Sequence, residues 1–324
     1  MAARLKTALC TRLGLDVPIV QAPMGTLAVP PLAAAVSNAG ALGMLGVTWL
    51  DRDMVREFIR ETRRRTTRPF GVNMVLAWDQ HERLAVCLEE GADIVSLTWG
   101  DPTPYVAAIH AAGATLLQTV ASAAEARQAV AAGADIVVAQ GWEAGGHVWG
   151  EVATMPLVPC VVDAVRPTPV VAAGGVGDGR GVAAALMLGA QGAVLGTRFC
   201  ASSEALWPDW AKKQLVAASG DETSRTRVFD AARGLGWPRP YTGRALRNAF
   251  ADAWDGREEE LRASAEAREQ FTVGHQAGDP DVAMVWAGEG TDLITAVEPA
   301  GDLVTRIMAQ AEGLLRSAPR QLDH

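Results

Sequence analysis

The chain has 324 residues, enough for one large α/β domain or two smaller ones. Hydrophobic residues make up 49% and charged residues 20%, an ordinary globular balance, and the formal net charge of −8 argues against a nucleic-acid partner. No run reaches about 18 uninterrupted apolar residues and residues 1–20 lack the apolar stretch of a signal peptide, so no membrane partner and a cytoplasmic location are expected.

In chain order, one phrase recurs. "NAGALGML" begins at Asn38, "EEGADIVSL" at Glu89, "AAGATLLQ" at Ala111, "AAGADIVVAQ" at Ala131 and "LGAQGAVLG" at Leu188. Each is a helical run, then glycine, then an apolar run. Glycine just past a helix stops it. A run that is apolar throughout suits a strand buried on both faces of a parallel sheet. Strands are therefore expected at residues 18–24, 41–46, 69–76, 93–100, 115–120, 135–140, 169–175 and 192–199. Helices are expected at 31–39, 52–65, 80–90, 103–112, 123–132, 158–165 and 179–188, with an eighth at 202–219. Eight β/α units predict a (β/α)₈ barrel over residues 1–205. An open doubly wound sheet would need fewer strands and a Gly-rich first turn; here that turn is "APMGTLAVPP". Residues 206–285 read as an irregular and helical cap segment, with "REEELRASAEAREQF" a charged, solvated helix. In 286–324 an apolar stripe from Leu303 to Leu315 predicts a helix packed back on the barrel.

A barrel of this kind works at the C-terminal ends of its strands. Pro23-Met24-Gly25 stands at the end of the first, Asn73 on the third and Gln140 on the sixth. The seventh ends in "AAGGVGDG" and the eighth in "LGTRF". Glycine-rich loops after these last two form the usual phosphate site of the fold, so backbone N–H groups of Gly174, Gly175, Gly196 and Thr197 are candidates for an anion. The alternative is that the glycines merely turn the chain.

"AQGWEAGGHVWG" follows the sixth strand as a loop. Its glycines allow a close approach to the backbone. His147 behind them is a candidate for proton transfer or substrate binding, or is a solvated loop histidine. His81, His110, His275 and His324 lie on helices, in the tail or at the terminus. Glu143 either orients the loop or lies on the surface. Trp142 and Trp149 flank the loop and are expected in a substrate pocket; Trp49 and Trp78 are expected in packing. Cys10, Cys87, Cys160 and Cys200 are scattered and read as reduced thiols, and no metal site is expected.

Together, "GVNM", "SLTWGDP", "AQGWEAGGH" and "PVVAAGGVGDGRGVAAALMLGAQGAVLGTRF" resemble the nitronate monooxygenases, formerly called 2-nitropropane dioxygenases. The similarity runs over about residues 15–205 and continues more weakly through "YTGRALRNAF" and "VWAGEGTDLI". It implies noncovalent FMN, contacted by Met24, Asn73, Gln140 and Gly145, with its phosphate at Gly174, Gly175, Gly196 and Thr197 and Leu195 beside them. It implies His147 as the catalytic residue, and oxidation of alkyl nitronates such as propionate 3-nitronate by O₂ to a carbonyl compound and nitrite. "EAGGH" is shared with flavin-dependent quinone and enoyl-ACP reductases. An NAD(P)H-dependent flavin reductase is therefore the competing enzyme reading, and a flavin-binding barrel without catalysis the third.

Overall fold

The computed structural model describes residues 5–318; His324 lies outside them. Eleven strands occur among the described residues: β1 (Ile19–Gln21), β2 (Gly43–Gly46), β3 (Phe70–Val75), β4 (Ile94–Thr98), β5 (Thr115–Val120), β6 (Ile136–Gln140), β7 (Gly146–Val148), β8 (Val170–Ala173), β9 (Ala193–Leu195), β10 (Thr223–Thr226) and β11 (Thr242–Leu246). Eight of them form one parallel sheet in the order β1-β9-β8-β6-β5-β4-β3-β2. The two end strands meet. Gln21 N–H donates to Leu42 O at 2.9 Å, and Leu42 N–H to Ile19 O at 2.9 Å. The sheet is closed, and the fold is a (β/α)₈ barrel.

The apolar runs are explained by burial on both faces. Leu117, Ile136, Val138, Val171 and Val194 point into the barrel, while Leu116, Val137, Val170 and Leu195 pack under the helices. Glycine ends the helices as the repeats require: Gly133 caps Ala123–Ala132 in the left-handed region, φ 117°.

Several elements differ from expectation. The eighth helix, expected over 202–219, spans Asp209–Ala217. The eighth strand stops at Leu195, because Gly196 turns the chain and Thr197–Cys200 is helical. The helix expected from residue 158 begins earlier, as Thr154–Val165, and holds Pro159 inside it. Pro156 lies in its first turn, where no N–H is needed. The charged segment of the cap is two helices, Glu258–Ala263 and Ala265–Ala277; Ser264 Oγ accepts the Ala267 N–H at 3.2 Å and starts the second. It is not simply a solvated face. Leu261, Ala267 and Phe271 join Phe229, Phe250 and Met284 in a separate small core.

The cap has its own sheet, β10-β11-β7, fully antiparallel. β7 comes from the glycine loop of the barrel, so the cap sheet is completed by barrel chain. The last helix, Ala300–Ser317, packs on Gly179–Met187 and Pro30–Asn38 and buries Leu303, Val304, Ile307, Met308 and Ala311. All four cysteines are free thiols. Among the described residues no helix is long and apolar enough to cross a membrane.

Candidate functional site

A cavity of about 680 Å³ lies at the C-terminal ends of the barrel strands, under the cap. Met24, Asn73, Gln140, Gly145, His147, Gly174, Gly175, Gly196 and Thr197 all line it. Leu195 lies just behind, fully buried. The volume falls within the range of cofactor and small-ligand sites, roughly 300–1,000 Å³.

The glycine loops are held tightly on their outer side and are bare on the cavity side. A Cβ on Gly145 would stand 2.5 Å from Gly288 N, and one on Gly174 would stand 2.6 Å from Thr154 Oγ1. Gly146, with φ +70°, has nothing within 4 Å of such a Cβ and lines the cavity. Thr154 pins the loops together. Its hydroxyl lies 3.2 Å from both Ala173 O and Gly174 O. Its N–H donates to the Glu143 carboxylate at 2.9 and 3.0 Å, so Glu143 orients the loop. Thr197 Oγ1 accepts the Gly288 N–H at 3.0 Å, which leaves the hydroxyl proton for an anion. Asn73 accepts from the Thr98 hydroxyl at 2.7 Å, and its amide N–H groups have no protein partner. Gln140 is a bridge: Oε1 accepts the Trp99 indole N–H at 3.1 Å, and Nε2 donates to His147 O at 3.2 Å. Trp99 has φ 60°, a left-handed backbone that a bulky side chain adopts only under constraint.

His147 is on a strand, not in a free loop: it lies on β7 opposite Gly243 of β11. Nε2 stands 2.8 Å from Asp230 Oδ2. Asp230 is 1% exposed, and its other oxygen has no partner. Trp237 stacks on the imidazole with centroids 3.7 Å apart and planes 17° apart, and Trp286 approaches at 5.1 Å. Nδ1 has no hydrogen-bond partner among the described residues, so it is the open nitrogen of the ring. Asp230 was missed from sequence. The signal was a single carboxylate among Val228, Phe229, Ala231 and Ala232, since an acid inside an apolar helical run is buried only if it has a partner.

Trp142 and Trp149 do not stand on the cavity wall, contrary to expectation. Trp142 lies under the guanidinium of Arg225, 4.1 Å from the ring centroid. Trp149 donates its indole N–H to Glu125 at 2.6 Å and packs against Tyr241. Both brace the loop from behind. The wall tryptophans are Trp49, Trp99, Trp207, Trp237 and Trp286. Trp49 and Trp78 meet edge to face at 4.6 Å, and both meet Trp237. Glu289 pairs with buried Arg244 at 3.0 Å. Cys200 also lines the cavity, but burial pushes its thiol up to about 12, so it stays protonated at neutral pH. Among the described residues no cluster of His, Cys, Asp or Glu is placed to hold a metal.

A closed barrel with bare glycine loops after β8 and β9, and two imidazoles, His147 and His275, lining the same cavity, has the form of a barrel enzyme with its ligand site at the strand ends. The comparisons narrow the class. The family model "Nitronate monooxygenase" matches residues 6–82 and 75–310, and the chain belongs to the nitronate monooxygenase family of flavin-dependent oxidoreductases. A nitronate monooxygenase of Paraburkholderia phytofirmans is 34% identical over 98% of this chain and 97% of its own. A (3aS,4S,5R,7aS)-5-hydroxy-7a-methyl-1-oxo-octahydro-1H-indene-4-carboxyl-CoA dehydrogenase of Mycobacterium tuberculosis is 40% identical over 70% of this chain; the match spans 64% of that relative's length. Among solved structures, FabK from Thermotoga maritima superposes with a TM-score of 0.85 at 34% identity, covering 98% of this chain and 99% of its own.

Proposed function

We propose that the protein binds FMN in this cavity and oxidises alkyl nitronates with O₂ to a carbonyl compound and nitrite. The residues fit that cofactor. The N–H groups of Gly174, Gly175, Gly196 and Thr197 suit its phosphate, the bare backbone at Gly145 and Gly146 admits a flat ring, and Asn73 and Gln140 supply polar contacts. Met24 contributes an apolar contact. When bound, FMN supplies the two-electron exchange between nitronate and O₂.

The observation that carries the reading is His147 on the cavity wall, paired from behind with buried Asp230. With Nε2–H donating to the Asp230 carboxylate, the neutral ring presents the Nδ1 lone pair to a reactant. That nitrogen takes the α-proton of a neutral nitroalkane. Once protonated, it holds the anionic nitro group, and the buried carboxylate stabilises the imidazolium. The wall tryptophans exclude water from the reacting atoms.

A second reading is a flavin dehydrogenase or reductase acting on a thioester, favoured by the identity to the carboxyl-CoA dehydrogenase. Anaerobic mixing of the purified protein with propionate 3-nitronate, then separately with NADH, tests both. Bleaching of the flavin by the nitronate alone is expected. Bleaching by NADH alone would transfer the assignment to the reductase reading, and bleaching by neither would leave a binding barrel.

A further inference from the structure

The cap wall of the cavity presents two donors that have no acceptor among the described residues. Arg233 follows the helix Val228–Ala232 and lines the cavity. Its guanidinium makes no hydrogen bond or ion pair among the described residues; Asp230 acts on it only through space. It is exposed by area, yet burial lowers its pKa. Both hold for a side chain that faces a cavity rather than open water. His275, on Ala265–Ala277, lines the same wall. Its Nδ1 accepts the Met284 N–H at 3.2 Å, so the neutral ring carries its proton on Nε2. No group among the described residues accepts that proton. Phe271 stacks on the ring at 5.4 Å and Trp210 meets it edge-on at 5.5 Å, which fixes its plane.

Charge decides what these donors would take. Arg233 is the only arginine or lysine among the described lining residues, and no aspartate or glutamate lines the cavity. The wall thus holds one positive charge with no anion in direct contact, a planar donor fork and one neutral donor. That set matches a single carboxylate, which a guanidinium binds with two parallel hydrogen bonds. A pyrophosphate would call for more than one cation. The pair also lies on the cap, apart from the glycine loops after β8 and β9.

We propose that Arg233 and His275 form a carboxylate-binding subsite on the cap wall and set this enzyme's preference for reactants with a remote carboxylate over those without one. This rests on the nitronate reading for the identity of the reacting group, but not for the subsite itself.

The test pairs ligands that differ only in the remote charge. Turnover of propionate 3-nitronate is compared with that of propyl-1-nitronate. Binding of succinate is compared with that of butyrate, their non-reacting isosteres, by calorimetry on the flavin-loaded protein. Wild type should prefer the doubly charged member of each pair by about 10- to 100-fold, the worth of a charge-assisted hydrogen bond. Arg233→Gln should erase both preferences by lowering propionate 3-nitronate turnover and succinate affinity far more than propyl-1-nitronate turnover, and Arg233→Lys should restore part of them. Equal losses for both members, or no preference in wild type, would overturn the subsite and leave the nitronate reading intact. Weakened NADH binding with unchanged succinate binding would also overturn it, since the cation would then serve a phosphate. If wild type turns over neither nitronate while Arg233→Gln still loses the succinate preference, the nitronate reading fails and the subsite stands.

Discussion

The imidazole of His147 is held from three directions: Asp230 at Nε2, the Trp237 ring on its face, and Gln140 at its backbone carbonyl. Such restraint fixes the tautomer as well as the position. Asp230→Asn keeps the shape but removes the buried charge that favours the imidazolium. Turnover of neutral nitroalkanes should fall about 10- to 100-fold, and that of preformed nitronates less, with flavin retained. His147→Asn should cost about 10²–10⁴ on the neutral substrate. Because the two residues act as one unit, the double variant should be no worse than His147→Asn alone. Additive losses in steady-state kinetics would mean that Asp230 acts on something other than His147. Among the cradle glycines, Gly175 has φ +67°, and an added Cβ would stand 3.0 Å from Glu143 Cγ. Gly175→Ala should destabilise by about 1–2 kcal/mol through its left-handed backbone alone. It should also displace Glu143 and weaken flavin binding; an unchanged flavin dissociation constant would remove this loop from the cofactor site.

At the scale of elements, the part of the sequence with a strong period was readable and the part without one was not. The Gly-Ala repeats marked the barrel strands, because each strand is buried on both faces and each helix ends in the same way. β7 gave no such signal. Gly146–Val148, which starts with the second glycine of a pair, becomes a strand only because β11 lies beside it, and that neighbour is almost a hundred positions away in the chain. Arg225 ties this junction together. It donates to Gly150 O at 2.7 Å, Val148 O at 3.3 Å and Thr242 Oγ1 at 2.7 Å, and covers the Trp142 ring. Arg225→Ala should lower stability by about 2–4 kcal/mol, from lost hydrogen bonds to a charged group and a lost cation–π contact. Because β7 carries His147, activity should fall more than flavin content. Denaturant unfolding combined with flavin fluorescence would check both, and a loss below about 0.5 kcal/mol would reduce the junction to a surface contact.

For the whole molecule, barrel and cap contribute to one cavity from distant stretches of chain. The strand-end residues were identifiable because the barrel dictates where its active face lies. Asp230, Arg233, Trp237, His275 and Trp286 were not, because only the folded cap brings them over that face. His275 shows how closely the cap depends on the cavity. Burial, then the charge of Arg233, holds its pKa below the ordinary value. The remaining neighbours, Phe271, Trp210 and the Met284 N–H, bring no compensating anion. The unfolded chain therefore binds a proton at His275 more readily than the folded chain. The sign follows from that: the contribution to stability is fully present above the unfolded pKa, about 6.5, and is lost as pH falls through the lower folded value. His275→Gln cannot titrate, and its side-chain carbonyl can still accept the Met284 N–H. Between pH 7.5 and 5, at constant ionic strength, the Tm of wild type should drop further than that of the variant. Saturating succinate should narrow the gap, because a carboxylate beside the ring favours its protonated form in the folded state. Parallel Tm curves for the two proteins would place the acid sensitivity elsewhere in the molecule, and a gap indifferent to succinate would separate His275 from the ligand.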